Sequence, residues 1–217
     1  MYALLKKIIF YFKSLRLIIY KVRPQYKKFH VFDNLKKQSI FIDLGANVGD
    51  VSSFINDVYG CQIHCFEPHP LAYKILRKRF INFKNIFTNN LAVVNDPKKK
   101  EIKLYYTSTD LHSENIRNTI IASIYNYSKK FNEYTLIRTI QIKEILNKHK
   151  KIDCIKIDIE GAEYNILPLL IDNHLKIGRV ICELHGKREN VEFEEKKIYI
   201  NQLISEKKLN NWFFSWK

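Results

Sequence analysis

The chain has 217 residues, which is enough for one domain with a substantial core, and its 46% hydrophobic content excludes a disordered polymer. Four cysteines without a pairing pattern exclude a disulfide framework and favour a reducing compartment. The formal net charge of +15 favours anionic partners such as nucleic acid, anionic lipid or phosphorylated glycan. An AT-rich genome, which enriches Lys, Asn and Ile, explains the charge equally well.

Residues 2–22 combine apolar residues at helical spacing with five interspersed cations, which exclude a transmembrane span. They also lack the uninterrupted apolar core and small-residue cleavage site of a signal peptide. One interpretation is a helix on an anionic membrane surface, and the other is a helix packed across the domain. We therefore expect a basic amphipathic helix over residues 1–26 and a single domain over residues 27–217. A cytoplasmic protein, peripheral at the membrane in the first interpretation, follows from this pattern.

Short apolar strands alternate with helices from Ile40 onward. Strands are predicted over residues 40–43, 62–66, 86–88, 91–94, 101–106, 135–142, 152–159, 179–184 and 211–217. Helices are predicted over residues 50–59, 70–80, 143–150, 160–172 and 191–208, with a bend or break at Pro168. Residues 101–106 have the partial alternation of a hairpin arm. The alternation of strands and helices predicts a doubly wound α/β fold with a mostly parallel sheet.

The first motif is D-L-G-A-N-V-G, from Asp43 to Gly49, at the end of the first predicted strand. A pyrophosphate site needs a different glycine pattern, so Asp43 is expected to face a cationic ligand group, and Gly45 to let a ligand lie against the backbone. Glu67 ends the next strand, where it can accept hydrogen bonds from a ribose diol. An amine and a ribose without a phosphate describe S-adenosylmethionine better than NAD.

The second motif is I-K-I-D-I-E-G-A-E, in which strand alternation assigns Lys156, Asp158 and Glu160 to one side. Carboxylates at the end of a strand, beside a cofactor, can orient or deprotonate an acceptor hydroxyl. The alternative is that Asp158 and Glu160 cap the following helix, with Lys156 as an internal ion-pair partner.

The third motif, C-E-L-H-G, contains Glu183 and His185. A free imidazole titrates near neutral pH, so His185 is a candidate base, although a lone loop histidine is also commonly a surface residue. Together with Asp158 and Glu160, these side chains could hold a divalent cation. No metal site is predicted.

The motifs F-I-D-L-G-A-N-V-G-D, C-F-E-P-H-P, N-N-L-A-V and I-K-I-D-I-E-G-A-E occur in an order that resembles the FkbM-type methyltransferases. The resemblance covers residues 39–186. It implies a Rossmann-like, class I fold and an S-adenosylmethionine-dependent O-methyltransferase. The chain departs from that fold in its short C-terminal part, which predicts a reduced final hairpin, and in its basic N-terminal helix.

The resemblance also implies roles for individual residues. Contacts with the methionine part of the cofactor are implied for Asp43, Gly45, Asn47 and Gly49. Glu67 corresponds to the acid that binds the ribose, and Pro68 shapes its turn. Asn90, Leu91 and Ala92 correspond to the segment beside the adenine. Asp158 and Glu160 correspond to the acceptor-side acids, and Ala122-Ser123 resembles a serine segment that borders the acceptor. With His185 as the candidate base, these residues define the predicted active site.

The predicted function is methylation of a hydroxyl on a sugar, a glycan or a glycan precursor. The first alternative is RNA 2′-O-methylation, because Lys156, Asp158 and Glu183 offer part of a Lys-Asp-Lys-Glu tetrad. The second alternative is a non-catalytic, membrane-associated relict of the fold. The presence of all the expected site residues argues against that relict, namely Asp43, Gly45, Glu67 and Asp158.

Overall fold

A computed structural model describes residues 35–107, 122–126, 129, 132–185 and 193–214. The predicted N-terminal helix over residues 1–26 lies outside the described residues. The described part contains nine strands and five α-helices. The strands are β1 (Ile40–Leu44), β2 (Gln62–Phe66), β3 (Ile86–Asn89), β4 (Ala92–Val94), β5 (Glu101–Tyr106), β6 (Glu133–Gln141), β7 (Cys154–Ile157), β8 (Val180–Cys182) and β9 (Phe213–Phe214). The helices are α1 (Asp50–Tyr59), α2 (Pro70–Phe80), α3 (Ile142–Asn147), α4 (Glu163–Asp172) and α5 (Glu194–Glu206).

Six strands form the main sheet in the order β3-β2-β1-β7-β8-β9. Every neighbouring pair is parallel, as in Asp43 opposite Cys65 on one side and Lys156 on the other. The predicted doubly wound α/β fold is confirmed. β9 has only two residues and pairs parallel with β8, so the described C-terminal part contains a single short strand where the fold usually has a hairpin.

The period of two along β1 sends its side chains to opposite faces of the sheet. Ile42 and Leu44 join a core that contains apolar residues of α3, α4 and α5. Phe41 joins a second core, with apolar residues of α1 and α2. The sheet is therefore buried on both faces, which explains why its strands read as continuous apolar runs.

A smaller sheet has the order β4-β6-β5. β5 is the predicted antiparallel arm, but its partner is β6, which also pairs parallel with β4. Ala92, Leu104 and Ile137 form a small core beneath this sheet. Of the predicted bend or break at Pro168, the break is wrong, because α4 runs through Pro168 to Asp172.

Candidate active site

The strand order reverses between β1 and β7, and the ends of β1, β2, β7 and β8 meet at this switch point. In open parallel sheets such a crevice binds ligands, because adjacent loops diverge there to opposite faces of the sheet. The residues that follow these four strands are Gly45, Glu67, Asp158 and Glu183. The fold thus brings together the first and second motifs, which lie over 100 positions apart in sequence.

The loop after β1 is fastened to the end of β2. Gly45 and Asn47 both have positive φ, at 75° and 51°. The backbone nitrogens of Gly45 and Ala46 donate to the carbonyl of Phe66 at 2.9 and 3.1 Å, and that of Asn47 donates to Glu67 Oε2 at 2.7 Å. This left-handed turn holds the predicted methionine-side loop against the predicted ribose acid.

Glu67 is 6% exposed, and its carboxylate is held by two backbone hydrogen bonds. Oε2 accepts from Asn47, and Oε1 accepts from the backbone nitrogen of His69 at 2.8 Å. Each oxygen retains a lone pair for a further donor. Burial raises the pKa of Glu67 from 4.5 to about 7, although the two backbone hydrogen bonds oppose this shift. A diol that donates to this carboxylate would stabilise its ionised form.

Asp43, which is expected to face a cationic ligand group, lies in the interior of the protein. It is fully buried, and its cationic neighbour is the Lys156 ammonium, with 3.3 Å between Oδ1 and Nζ. Its other oxygen, Oδ2, accepts from Ser52 Oγ at 2.6 Å. Asp43 therefore links β7 and α1 through Lys156 and Ser52 beneath the loop.

The two glycines of the first motif are needed for contacts within the protein. A Cβ on Gly45 would lie 1.8 Å from the carbonyl oxygen of Asp158, so the close approach expected of a ligand is made by the protein's own backbone. Gly49, with φ of 89°, precedes α1, and a Cβ there would lie 2.7 Å from Leu76 and 2.5 Å from Phe80. The glycine spacing thus reports packing of the loop on β7 and α2.

The predicted adenine-side residues act mainly on the turn after β2. Asn90 Nδ2 donates to the carbonyls of Glu67 and Pro68 at 2.8 and 2.9 Å, which fixes the backbone that carries the acid. Ala92 is buried against Leu104, so its methyl group belongs to the small core and not to a ligand-facing wall.

The acceptor-side strand ends one residue before Asp158. The Asp158 backbone nitrogen donates to the carbonyl of Leu44 at 3.1 Å, and Asp158 Oδ2 lies 3.9 Å from Lys156 Nζ. Burial raises the pKa of Asp158 above its usual range. The capping alternative is wrong, because α4 is preceded by Ala162 and receives no side-chain cap. Glu160 instead occupies a left-handed turn, with φ of 51°.

Lys156 is the internal ion-pair partner that one interpretation of the sequence predicts. It is 3% exposed, and its ammonium donates to the carbonyl of Gly45 at 2.6 Å. Asp43 and Asp158 outweigh the effect of burial and raise the Lys156 pKa. Because its donors are turned inward, Lys156 is poorly suited to the tetrad of an RNA 2′-O-methyltransferase.

Glu163 is the functional residue that sequence reasoning missed. It is fully buried, and its Oε2 accepts from the backbone nitrogen of Gly161 at 2.8 Å. Its Oε1 accepts from the backbone nitrogen of His185 at 2.9 Å and lies 2.8 Å from Nδ1 of the same residue. The available signal was the second glutamate of E-G-A-E, which begins α4.

His185 is 3% exposed, so it is not the surface histidine of the alternative interpretation. Its Nε2 lies 3.3 Å from Glu160 Oε2 and 3.6 Å from Glu183 Oε1. Burial lowers the pKa of His185, but the carboxylates of Glu160 and Glu163 outweigh burial and raise it to about 10. With this raised pKa the ring is a cation, protonated on both nitrogens, at neutral pH. The neighbouring carboxylates are therefore the stronger candidates for the base, and the role of His185 stays a prediction.

Ser123 connects the smaller sheet to the acceptor side. Its Oγ donates to the carbonyl of Glu160 at 2.8 Å, and its backbone nitrogen and carbonyl both pair with Tyr105 of β5. Its Oγ also accepts from the backbone nitrogen of Tyr125 at 3.1 Å. The serine that resembles an acceptor-bordering segment thus lies directly beside the Glu160 turn.

The FkbM methyltransferase domain matches residues 43–206. The chain therefore belongs to the FkbM methyltransferase family. It is a methyltransferase that uses S-adenosylmethionine.

No curated protein sequence matches the chain significantly. None of the described helices is long and apolar enough to cross a membrane.

Three solved structures are similar to this fold at low identity. A precorrin-6y C5,15-methyltransferase from Geobacter metallireducens GS-15 gives a TM-score of 0.44 at 10% identity, covering 86% of this chain and 72% of that one. The Methanococcus jannaschii fibrillarin pre-rRNA processing protein gives 0.39 at 15%, covering 79% and 57%. The P. horikoshii protein TYW2, in complex with MeSAdo, gives 0.29 at 18%, covering 31% and 27%. The chain thus spans less than two thirds of the last two proteins.

The residues at the switch point fit S-adenosylmethionine. The buried Asn47 Oδ1 has no hydrogen-bond partner among the described residues, which leaves it available to a donor such as an amine. Glu67 keeps lone pairs for the ribose hydroxyls, and the Asn90-braced turn supports it. Asn47 and Glu67 would thus hold the donor, which supplies an electrophilic methyl group on a sulfonium.

Proposed function

We propose that the protein methylates an oxygen atom, namely a hydroxyl of a sugar, a glycan or a glycan precursor. The observation that carries the proposal is the contact between the two halves of the site. The backbone of Asp158 packs directly on Gly45, and Lys156 Nζ lies 2.6 Å from the Gly45 carbonyl and 3.9 Å from Asp158 Oδ2. A carboxylate on this edge stands beside the cofactor loop, where an acceptor hydroxyl must be oriented.

A sugar hydroxyl is a weak acid, so its proton must move to a base as the oxygen–carbon bond forms and the carbon–sulfur bond breaks. Asp158 is the best candidate for that base, because burial raises its pKa and strengthens it as a proton acceptor. Glu160 is the second candidate, although its carboxylate already lies 3.3 Å from the imidazolium of His185.

The close spacing of two carboxylates at the site supports an acceptor with several hydroxyl groups. Asp158 and Glu183 follow neighbouring strands, and both have ligand atoms within 4.8 Å of one another and of the His185 ring. Closely spaced carboxylate oxygens can accept hydrogen bonds from two adjacent hydroxyls, which a sugar provides and a simple alcohol does not.

The direct test is incubation of the protein with isotopically labelled S-adenosylmethionine and a glycan extract, followed by sugar analysis. A labelled methyl ether on a sugar is the expected product. Asp158→Asn should reduce turnover at least roughly 100-fold while leaving donor binding within about threefold, because general-base groups contribute to the chemical step. Asp96→Asn, a partly exposed carboxylate in the turn between β4 and β5 that lies 3.9 Å from Lys99, is the matched control. A fully active Asp158→Asn enzyme, or label on nitrogen or carbon, would contradict the proposal.

We also propose that the protein is cytoplasmic and binds an anionic membrane surface through residues 1–26. The support is the sequence pattern, in which cations alternate with apolar residues at helical spacing. Sedimentation with vesicles of neutral or anionic lipid tests this. Binding to anionic vesicles should weaken at high salt and in a Lys6→Gln, Lys7→Gln, Lys13→Gln variant, because screening and charge loss remove the same attraction. Equal sedimentation with neutral and anionic vesicles would contradict it.

A further inference from the structure

Three ligand-type side chains converge at the ends of β7 and β8. One ligand atom each from Asp158, Glu183 and His185 lies within 4.8 Å of the other two. Some point therefore lies within about 2.8 Å of all three atoms, which is close to the distance at which oxygen ligands hold a divalent cation. Small changes in side-chain torsion angles therefore suffice to bring all three atoms to one ion.

The orientation of His185 is a second, independent observation. The fully buried carboxylate of Glu163 lies 2.8 Å from Nδ1 and fixes the ring. The opposite nitrogen, Nε2, is buried and makes no hydrogen bond within the described residues, although two carboxylates lie at ion-pair distance. An imidazole held at one nitrogen by a buried carboxylate, with the other nitrogen directed at further carboxylates, is the usual arrangement of a metal-ligating histidine.

We propose that Asp158, Glu183 and His185 Nε2 form a divalent-cation site, with Glu160 as a nearby fourth ligand. The cation binds by displacing the proton on Nε2, which is released to solvent, because a histidine coordinates a metal only through a deprotonated nitrogen. Carboxylates favour Mg²⁺ and Mn²⁺, whereas imidazole favours Zn²⁺ and later transition metals, so the mixed set points to Mn²⁺. Water completes the coordination, and two adjacent hydroxyls of an acceptor could replace it.

The cation site can be tested separately from the proposed function, because metal binding is measurable without the methyl donor or an acceptor. Titration of the full-length protein with Mn²⁺, followed by electron paramagnetic resonance of the free ion, tests it. One bound Mn²⁺ per chain is expected. Glu183→Gln and His185→Gln should each weaken binding at least tenfold, while Glu195→Gln, an exposed carboxylate on α5, should not. No loss of free signal, or equal binding by all variants, would overturn the proposal.

Asp158→Asn provides a variant with less risk to folding, because the Asp158 side chain is 29% exposed. Mn²⁺ should raise the thermal unfolding midpoint of the wild type and of Glu195→Gln, because a ligand that binds only the folded state stabilises it. It should not raise that of Asp158→Asn, and an equal rise in all three would overturn the site. Sugar methylation that persists in a chelator would leave the proposed function intact, whereas Mn²⁺ binding without methylation would support the cation site alone.

Discussion

The Lys156 ammonium donates a 2.6 Å hydrogen bond to the carbonyl of Gly45, from the interior of the protein. The same nitrogen lies 3.3 Å from Asp43 Oδ1 and 3.9 Å from Asp158 Oδ2. One buried charge therefore holds the loop after β1 to the end of β7. The predicted cofactor side and acceptor side of the site thus share this buried ammonium as a common partner.

Replacing Lys156 with Met should destabilise the protein by about 3–5 kcal/mol, because Asp43 would keep a buried charge without its cation. Donor affinity should fall as well, since the loop loses its anchor. Chemical denaturation and calorimetry measure the two effects. Lys151→Met removes an exposed ion pair with Asp153 and should cost under about 1 kcal/mol. Similar losses in both variants would refute the anchoring role of Lys156.

Gly45→Ala should prevent the site from forming, because the new Cβ would lie 1.8 Å from the Asp158 carbonyl in a backbone with φ of 75°. Gly60→Ala is the matched control, since Gly60 has φ of 62° but its Cβ would meet only Asn56 at 3.8 Å. The control should lose about 1–2 kcal/mol, the cost of a left-handed alanine. Donor binding by a folded Gly45→Ala protein at wild-type affinity would show that this contact is dispensable.

Donor binding near pH 7 should release protons through Glu67. Its pKa is raised from 4.5 to about 7, so its contribution to stability is complete below pH 4.5 and is lost as the pH rises through 7. Hydroxyl donors would favour the ionised carboxylate, and about half a proton should leave at pH 7. Calorimetry in two buffers of different ionisation heat measures this release. Glu67→Gln should abolish the release and weaken binding roughly tenfold. Unchanged release in that variant would assign the proton to another group.

The pH dependence of the protein's stability should reflect the protonation of His185. Its pKa is raised from 6.5 to about 10, so the stability it contributes is complete below pH 6.5 and is lost as the pH rises through 10. The unfolding midpoint should fall over this window, and His185→Gln should flatten the decline. His174→Gln, outside the site, should keep the wild-type slope. An equally steep decline in His185→Gln would mean that other groups dominate the effect.

Sequence patterns predicted the parallel sheet well, because β1 and β7 are buried on both faces and leave continuous apolar runs. The acids at strand ends were equally visible, as Glu67 and Asp158 illustrate. The pairing of β6 with both β4 and β5 was not predicted, because long-range pairing depends on contacts that local alternation does not specify.

Individual roles were harder to predict than positions. Asp43 was expected to face a ligand, but its cation is Lys156, more than 100 residues later in the chain. The partnership of Glu163 and His185 was missed for the same reason, since only the folded protein brings α4 against the loop after β8. Spacing in the sequence identifies which residue types lie at the end of a strand. It does not show which of these side chains pair with one another inside the protein.

The packing of Gly45 on Asp158 limits how the enzyme can diversify. The boundary between the donor and acceptor compartments is made there of backbone atoms, which substitution cannot remodel without breaking the fold. Variation of the predicted acceptor site is therefore expected in the segment that contains Ser123, whose hydroxyl donates to the carbonyl of Glu160. That segment is the place to change when a different acceptor is wanted, with the donor half left untouched.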